Sequence, residues 1–444
     1  MIDDLRTELQ ALEEREEVLH IPREVDPRFE LPALSKKLEE DKCLLFEKVK
    51  DSSMPVVVGV DNNRSRIARV LGADGFSLTS RYLEAIAHPL PPVGVQDGPV
   101  KEIKITSRVD LRKQLPMVTH YEKDGGPFIT AGVVIAEDKG KRIRNISYHR
   151  LQVMGKDEIG IFISPRHLWT LYREAEMAGK SLEVAVAVGL DTAVRLAAAT
   201  WGSLIPLGFD EFSIAGALRG NPVEIISGET VEVMVPAKAE IIIEGEILPN
   251  RRSTQGPLAN YAGTYGDTWE GPVIKVKAIT HRKFPIYQDL LPFTPEHHLL
   301  LSLPYEPVLF QAVRASVPGT KAVHIPPSGC GKFHAVISLR KEHEGDGKDA
   351  ILAGFSSSRD LKLVTAVDDD VDPYNPREVE WAVATRFQAD RDLVVVAGAK
   401  GNALDPSCAP TAVTARMGID ATKPLQARER FERIVIPGME SVRI

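Results

Sequence analysis

Along the first twenty residues Leu5, Leu9 and Leu12 recur at helical spacing among acidic and basic neighbours, a period that predicts an amphipathic surface helix. The period changes in the middle of the chain. Short apolar runs, VEVMVPA, AEIIIEGEIL and PVIKVKAI, are set apart by Pro, Gly and Asn and read as strands, because β-branched side chains suit a pleated surface. Upstream of them, PRHLWTLYREAEMAGK reads as a helix opened by Pro165 and closed by Gly179. Together these segments predict a mixed sheet or barrel with peripheral helices. The stretch YEPVLFQAVRASVPG predicts one connecting helix that begins near Pro307 and stops before Pro318 and Gly319. Beyond it HAVISLR, LKLVTAV and DLVVVAG alternate with helical patterns such as NPREVEWAVATRF, the order of a small α/β unit. The expected class is mixed α/β: a large domain over residues 1–304, a linker helix over 305–318 and a smaller domain over 319–444.

Composition narrows the function. The chain has 444 residues and a formal net charge of -7, so no basic footprint for nucleic acid is expected and an anionic substrate must meet local cations. Three cysteines, Cys43, Cys330 and Cys408, form no CxxC pair, which fits a reducing cytoplasm without disulfides or a zinc knuckle. The N-terminus lacks a basic, then apolar, leader, and no apolar run reaches the roughly 18–20 residues of a membrane span. Neither GxGxxG nor GxxxxGK[ST] occurs, so the common phosphate-cradling loops are absent.

Several segments carry candidate chemistry. The Gly-rich DGGPFITAGVVIAED reads as a tight turn before a strand or as a loop admitting a ligand, and it precedes NISYHR, residues 145–150, an amide and a guanidinium five positions apart. His167 in SPRHLW reads as a metal ligand or a polar cap, and Glu211 in PLGFDEFSIAGAL as a turn carboxylate in solvent. These residues are too far apart in sequence to form a local metal motif. The run Asp368-Asp369-Asp370 reads as a solvated turn, and His297-His298 as a polar turn before LLLSLP or as a source of protons.

In their order along the chain, DGGPFITAGVV, NISYHR, SPRHL, GFDEFSIAGAL, VPAKAEIIIEGEI, VTAVDDDVD, WAVATRFQADRD, ALDPS and GIDATKP resemble the UbiD family of decarboxylases, which use prenylated FMN. The resemblance covers nearly the whole chain. It implies a split-barrel-like flavin-binding domain joined by a helix to a smaller α/β oligomerisation domain, and a homodimer or hexamer. It implies that Asn145, His167 and Glu211 hold Mn²⁺ at the cofactor phosphate, and that carbonyls around Trp201 and Ser203 hold K⁺. Oxygen ligands and a phosphate suit hard cations. Ile146, Ser147, Tyr148 and His149 would line the flavin, with Arg166 and Lys362 also beside the cofactor, while Arg150 would face the substrate carboxylate. A flavin prenyltransferase would supply the cofactor. The cofactor is needed because loss of CO₂ from an sp² carbon leaves an electron pair without resonance, which requires an electron sink.

The sequence departs from this pattern at one place. The resemblance implies an acid before a GPFG turn and a second just after it, but here the stretch is STQGPLANYAG, with Gln255 and Asn260 at those positions. A carboxamide keeps the shape of a carboxylate and cannot supply an acidic proton near neutral pH. Three readings follow: the donor has moved to Asp289, His297 or His298; the pair is neutralised to suit an unusual substrate; or the chain is an engineered or inactive form. The implied reaction is decarboxylation, reversible at high CO₂, of an aromatic, heteroaromatic or α,β-unsaturated carboxylic acid. One alternative is the archaeal members' decarboxylation of a phosphorylated unsaturated acid in isoprenoid synthesis, and another is a cofactor-binding protein without turnover. No Lys or Arg lies between Lys283 and Arg314, which leaves His297 and His298 as that stretch's groups for a second carboxylate and favours monocarboxylates.

Overall fold

The computed structural model describes residues 2–438 apart from Glu40, Asp41, Phe76, Lys139, Trp201, Ser203, Ala409 and Pro410. The chain divides into two compact units, Met1–Val308 with Leu404–Pro406, and Leu309–Ala403 with Ser407–Ile444. The division falls inside the helix Glu306–Ser316, which occupies the segment read as a connecting helix.

The first unit is built around an antiparallel sheet, not the mixed one expected, that contains nine strands among the described residues. Its order is Phe128–Ile129, Arg150–Val153, Glu158–Phe162, Trp269–His281, Ile241–Gln255, Leu182–Val188, Val133–Asp138 and Ile143–Tyr148, with Ile103–Ile105 paired to Trp269–His281. Both faces of its centre are buried. Val133, Ile135, Ala185, Ala187 and Ile242 enter one apolar core, while Val134, Ala136, Val184, Val186, Ile241 and Ile243 enter another. A strand covered on both sides needs apolar residues at every position, which is why these segments read as unbroken runs and not as an alternation.

The two longest strands outgrow their apolar runs. Ile241–Gln255 has 15 residues and Trp269–His281 has 13. Their ladder shifts register between Glu244 and Gly245 and again between Ile247 and Arg252, then continues through Arg252↔Pro272, Ser253↔Gly271, Thr254↔Glu270 and Gln255↔Trp269. Backbone pairing, not hydrophobicity, carries the polar RRSTQ segment into the sheet. By contrast VEVMVPA keeps only Met234–Pro236 as strand.

Other elements differ from expectation in detail. The first helix is Leu5–Glu13, with Asp4 as its cap, and buries Leu5, Leu9, Leu12 and also Glu8, so it is no simple surface helix. The helix expected to open at Pro165 begins at His167, with Arg166 at its cap, and ends at Met177. His297 and His298 are not in a polar turn. Thr294 caps a helix, Pro295–Ser302, that contains both, and Pro295 in its first turn has the fixed φ a helix start needs.

The second unit, described by itself, has a five-stranded sheet in the order Thr320–His324, His334–Leu339, Leu363–Asp368, Val413–Ala421, Leu393–Lys400. The acidic run is only partly a solvated turn: Asp368 ends its strand buried, and Arg386 bridges Asp368 and Asp370 at 2.8 and 2.9 Å.

Glu8 is buried because it meets Arg195. In the first unit the guanidinium of Arg195, 1% exposed, donates to Asp61 at 2.5 and 2.9 Å and to Glu8 at 3.0 Å, and the Thr192 N–H donates to Glu8 at 3.0 Å. Burial pushes Glu8 up to about 7 even with Arg195 opposing. Removing the cation leaves two buried carboxylates uncompensated, a change that typically costs about 3–5 kcal/mol. Arg195→Met is therefore expected to lower the unfolding free energy by about that amount in urea titrations, and an unchanged midpoint would contradict the role assigned to this cluster.

Candidate functional site

The strands Ile143–Tyr148 and Arg150–Val153 meet at His149, so the NISYHR segment is extended backbone with a break before its arginine. Glu211 opens the helix Glu211–Arg219 directly after the cap Asp210, which accepts from the Phe212 N–H at 3.0 Å. The carboxylate of Glu211 accepts from Asn145 Nδ2 at 2.9 Å and from the Ile146 N–H at 3.1 Å. These bonds join two parts of the chain that sequence spacing leaves apart. Glu211 is buried, and burial pushes its carboxyl up to about 8. No cationic side chain pairs with it among the described residues.

A proton count sharpens the picture beside it. Ser147 Oγ lies 3.0 Å from Asn145 Oδ1 and 2.8 Å from His149 Nε2, and His149 Nδ1 lies 3.0 Å from the Phe162 carbonyl. A carbonyl only accepts, so Nδ1 carries the proton. Burial lowers His149 to about 4, which makes the ring neutral and Nε2 an acceptor. The single Ser147 proton serves either Asn145 Oδ1 or His149 Nε2, and Asn145 Oδ1 keeps at least one of its two lone pairs. A buried carboxyl without a cation and a neighbouring amide oxygen with a lone pair to spare are a donor set that fits a hard divalent ion.

His167 contributes an imidazole at the start of its helix, lowered in pKa by burial and by the charge of Arg166. Its Nε2 lies 3.3 Å from where a Cβ on Gly202 would stand, so glycine keeps the space in front of the ring open. The described residues contain no group of three His, Cys, Asp or Glu side chains able to hold a metal. Trp201 and Ser203, the expected K⁺ positions, lie outside the described residues. Lys362 belongs to the second unit, where its ammonium hydrogen-bonds Ser407 Oγ.

At the other end of the segment stands Arg150. Its half-buried guanidinium lies over the ring of Phe162 at 5.0 Å and of Trp269 at 5.5 Å, and those two rings meet edge to face at 5.3 Å. Arg150 and Phe162 are cross-strand partners, as are Gln255 and Trp269. No acid pairs with Arg150 among the described residues, and burial lowers its pKa.

The residues expected at the acid positions do other work. Gln255 is 0% exposed, donating from Nε2 to the Pro272 carbonyl at 2.8 Å and accepting at Oε1 from Trp269 Nε1 at 3.0 Å. Asn260 closes its own loop, accepting from the Ala262 N–H at 2.7 Å and donating to Thr264 Oγ1 at 3.2 Å. Among the candidate donors, Asp289 is buried with both oxygens 3.0 Å from His120 Nε2 and a further bond from Thr130 Oγ1 at 2.9 Å. His298 directs Nε2 to the Tyr261 carbonyl at 2.8 Å. His297 accepts at Nδ1 from the Phe293 N–H at 3.3 Å and lies edge-on to Tyr261, so in the neutral ring its proton sits on Nε2.

Residues 9–86, 92–295 and 298–421 match, in turn, the N-terminal, the Rift-related and the C-terminal domain of the 3-octaprenyl-4-hydroxybenzoate carboxy-lyase family, UbiD. The chain is similar to anhydromevalonate phosphate decarboxylase of Methanothermobacter thermautotrophicus, 39% identical with 94% of this chain and 97% of that protein covered. It is similar to gallate decarboxylase of Lactiplantibacillus plantarum at 32% identity over 92% of each. Among solved structures it resembles the UbiD-class enzyme HmfF from Pelotomaculum thermopropionicum in complex with FMN, with a TM-score of 0.96, 45% identity and 99% of both chains covered. An evolved dimeric form of that enzyme in complex with prFMN matches at TM-score 0.92 and 42% identity, over 100% of this chain and 99% of that one. The chain belongs to the UbiD family of carboxy-lyases.

Proposed function

We propose that this decarboxylase releases CO₂ from an aromatic, heteroaromatic or α,β-unsaturated monocarboxylic acid, with Arg150 holding the departing carboxylate. The observation that carries the reading is a half-buried guanidinium with no acidic partner among the described residues. Its planar fork matches a carboxylate by two parallel hydrogen bonds, which fixes the orientation of the scissile C–C bond. The solved relatives bound to FMN and to prFMN support a prenylated flavin here. When bound, that group would supply the electron sink that side chains lack. Asn145, His167 and Glu211 would hold Mn²⁺ at its phosphate, with Ile146 to His149 and Arg166 along the flavin, and Trp201 and Ser203 at a K⁺.

The proton for the vacated carbon needs a donor other than the two amides. Asp289 and His298 are engaged with His120 and with the Tyr261 carbonyl, and His297 would have to become imidazolium, giving up the Phe293 N–H at Nδ1, before it could donate from Nε2. A phosphorylated unsaturated acid, the chemistry in the name of the archaeal relative, would need additional cations. Lys36 reaches this region from another helix, donating to the Phe293 carbonyl at 2.8 Å, but Glu39 takes up its charge at 2.8 Å. The same pairing limits its use for a second carboxylate.

Protein co-produced with a flavin prenyltransferase is expected to release CO₂ from members of a panel of unsaturated and aromatic acids. In kcat/KM, monocarboxylates should exceed their dicarboxylate and phosphorylated counterparts, and Arg150→Ala should lower it about 10²-fold, the scale of a lost oriented charge pair. Absence of CO₂ release from every acid would favour a binding protein, and full activity of Arg150→Ala would remove its assignment.

Assembly is read from the second unit. Leu393 and Val395 on one strand and Met417 and Val413 on its neighbour are exposed, Val395 at 61%, and Val395 pairs with Met417 in the ladder. An exposed apolar sheet face suits a second copy of the chain. A homodimer or larger assembly is expected by light scattering at micromolar concentration, with Val395→Glu shifting it toward monomer; a monomeric parent would contradict this.

A further inference from the structure

We infer that Arg150 is presented to its anionic ligand by an aromatic clamp, Phe162 with Trp269, and that Gln255 sets the clamp by fixing the indole. The inference rests on the reading of Arg150 as the carboxylate-binding group and adds two positioning residues, Gln255 and Trp269, to it.

Gln255 meets two partners with opposite demands. The Pro272 carbonyl can only accept a hydrogen bond and the Trp269 indole N–H can only donate one; the distances are 2.8 and 3.0 Å. A primary amide carries N–H donors and an acceptor oxygen on one side chain, so both needs are met together, and its nitrogen also donates to Ser253 Oγ at 3.3 Å. An ionised carboxylate would set two oxygens against a carbonyl oxygen, and an apolar side chain would leave two buried polar groups unpaired. The backbone makes room for this arrangement. A Cβ on Gly160 would stand 2.5 Å from Gln255 Cδ, one on Gly271 2.8 Å from Gln255 Nε2, and one on Gly256 2.5 Å from Trp269 Cζ3. All three lie under the 3.0 Å that real Cβ contacts respect, so glycine at each position is what allows the amide and the indole their places.

Stacking is a different way of holding an arginine from ion pairing. Acids beside Arg150 would consume its N–H donors and cancel its charge. Aromatic rings attract the guanidinium by cation–π interaction, each contributing about 0.5–2 kcal/mol, and unlike carboxylates they do not take up its N–H donors, which stay available to a ligand. At 5.0 and 5.5 Å from the two ring centroids, Arg150 keeps its orientation without a competitor for the substrate carboxylate. The amide at 255 thus belongs to the support of the arginine and not to proton transfer.

The test measures binding of benzoate, with benzamide as its uncharged counterpart, to flavin-loaded protein by calorimetry. Gln255→Met keeps the volume and removes the amide's hydrogen bonds to Pro272, Trp269 and Ser253; Trp269→Leu removes the ring; Trp269→Phe restores a face without the N–H. Benzoate is expected to bind about 10-fold more weakly in Trp269→Leu, about 5-fold in Gln255→Met and about 2-fold in Trp269→Phe, a scale set by one to two aromatic contacts. Benzamide affinity should stay within about 2-fold, since it lacks the charge the clamp orients. If Arg150→Ala removes the preference for benzoate but Gln255→Met and Trp269→Leu keep it, the clamp is overturned while the reading of Arg150 stands. If Arg150→Ala itself keeps the preference, that underlying reading fails.

Discussion

Withdrawing a charge from water without a protein counter-charge is the constraint around which this site is organised. The first unit does it twice, at the two ends of one six-residue segment. At Asn145 and Ile146 the chain donates hydrogen bonds to Glu211, a buried carboxyl that burial pushes up to about 8 and that a bound cation would ionise. At the far end Arg150 is half-buried with no acid beside it among the described residues. Uncompensated buried charge costs several kcal/mol, and it persists in folded proteins where a ligand supplies the missing sign. The contrast with Arg195 makes the point, because that more deeply buried guanidinium is matched by Glu8 and Asp61.

The sheet makes the arrangement possible. Arg150 faces Phe162 across one ladder and Gln255 faces Trp269 across another, and the two ladders meet because Glu158–Phe162 pairs with Trp269–His281. Both central faces carry apolar cores, and Leu151, Val153, Ile159 and Ile161 on the strands of Arg150 and Phe162 enter one of them. The register shift between Ile247 and Arg252 decides that Gln255, and not a neighbour, stands opposite the indole.

Much of this was legible from the amino-acid order, and the remainder has physical reasons for being hidden. Helices such as Glu306–Ser316 and Pro376–Arg386 announce themselves through period and flanking prolines. Asn145, His167 and Glu211 were marked by resemblance, and the bond between Asn145 and Glu211 is local geometry that no spacing of 66 residues reveals. Phe162 and Trp269 were missed because each gains its role from a strand partner, and a β ladder is set by register and bulges instead of by sequence proximity. Gln255 looked like a lost acid because the comparison considered only its type. Its two partners show what the amide does. Asp289 looked available as a donor until the fold placed His120, 169 residues away, on both its oxygens. Glycines 160 and 271 are a signal present in the sequence, but its meaning depends on knowing that Gln255 fills the space they leave.

Anomalous diffraction at the manganese edge, from crystals of flavin-loaded protein grown with Mn²⁺ and benzoate, tests the central claim that the two uncompensated charges are the anchor points of the site. The account predicts an anomalous peak ligated by the Glu211 carboxylate and Asn145 Oδ1, with the benzoate carboxylate paired to the guanidinium of Arg150. Manganese bound away from Glu211, or benzoate seated without contact to Arg150, would contradict it.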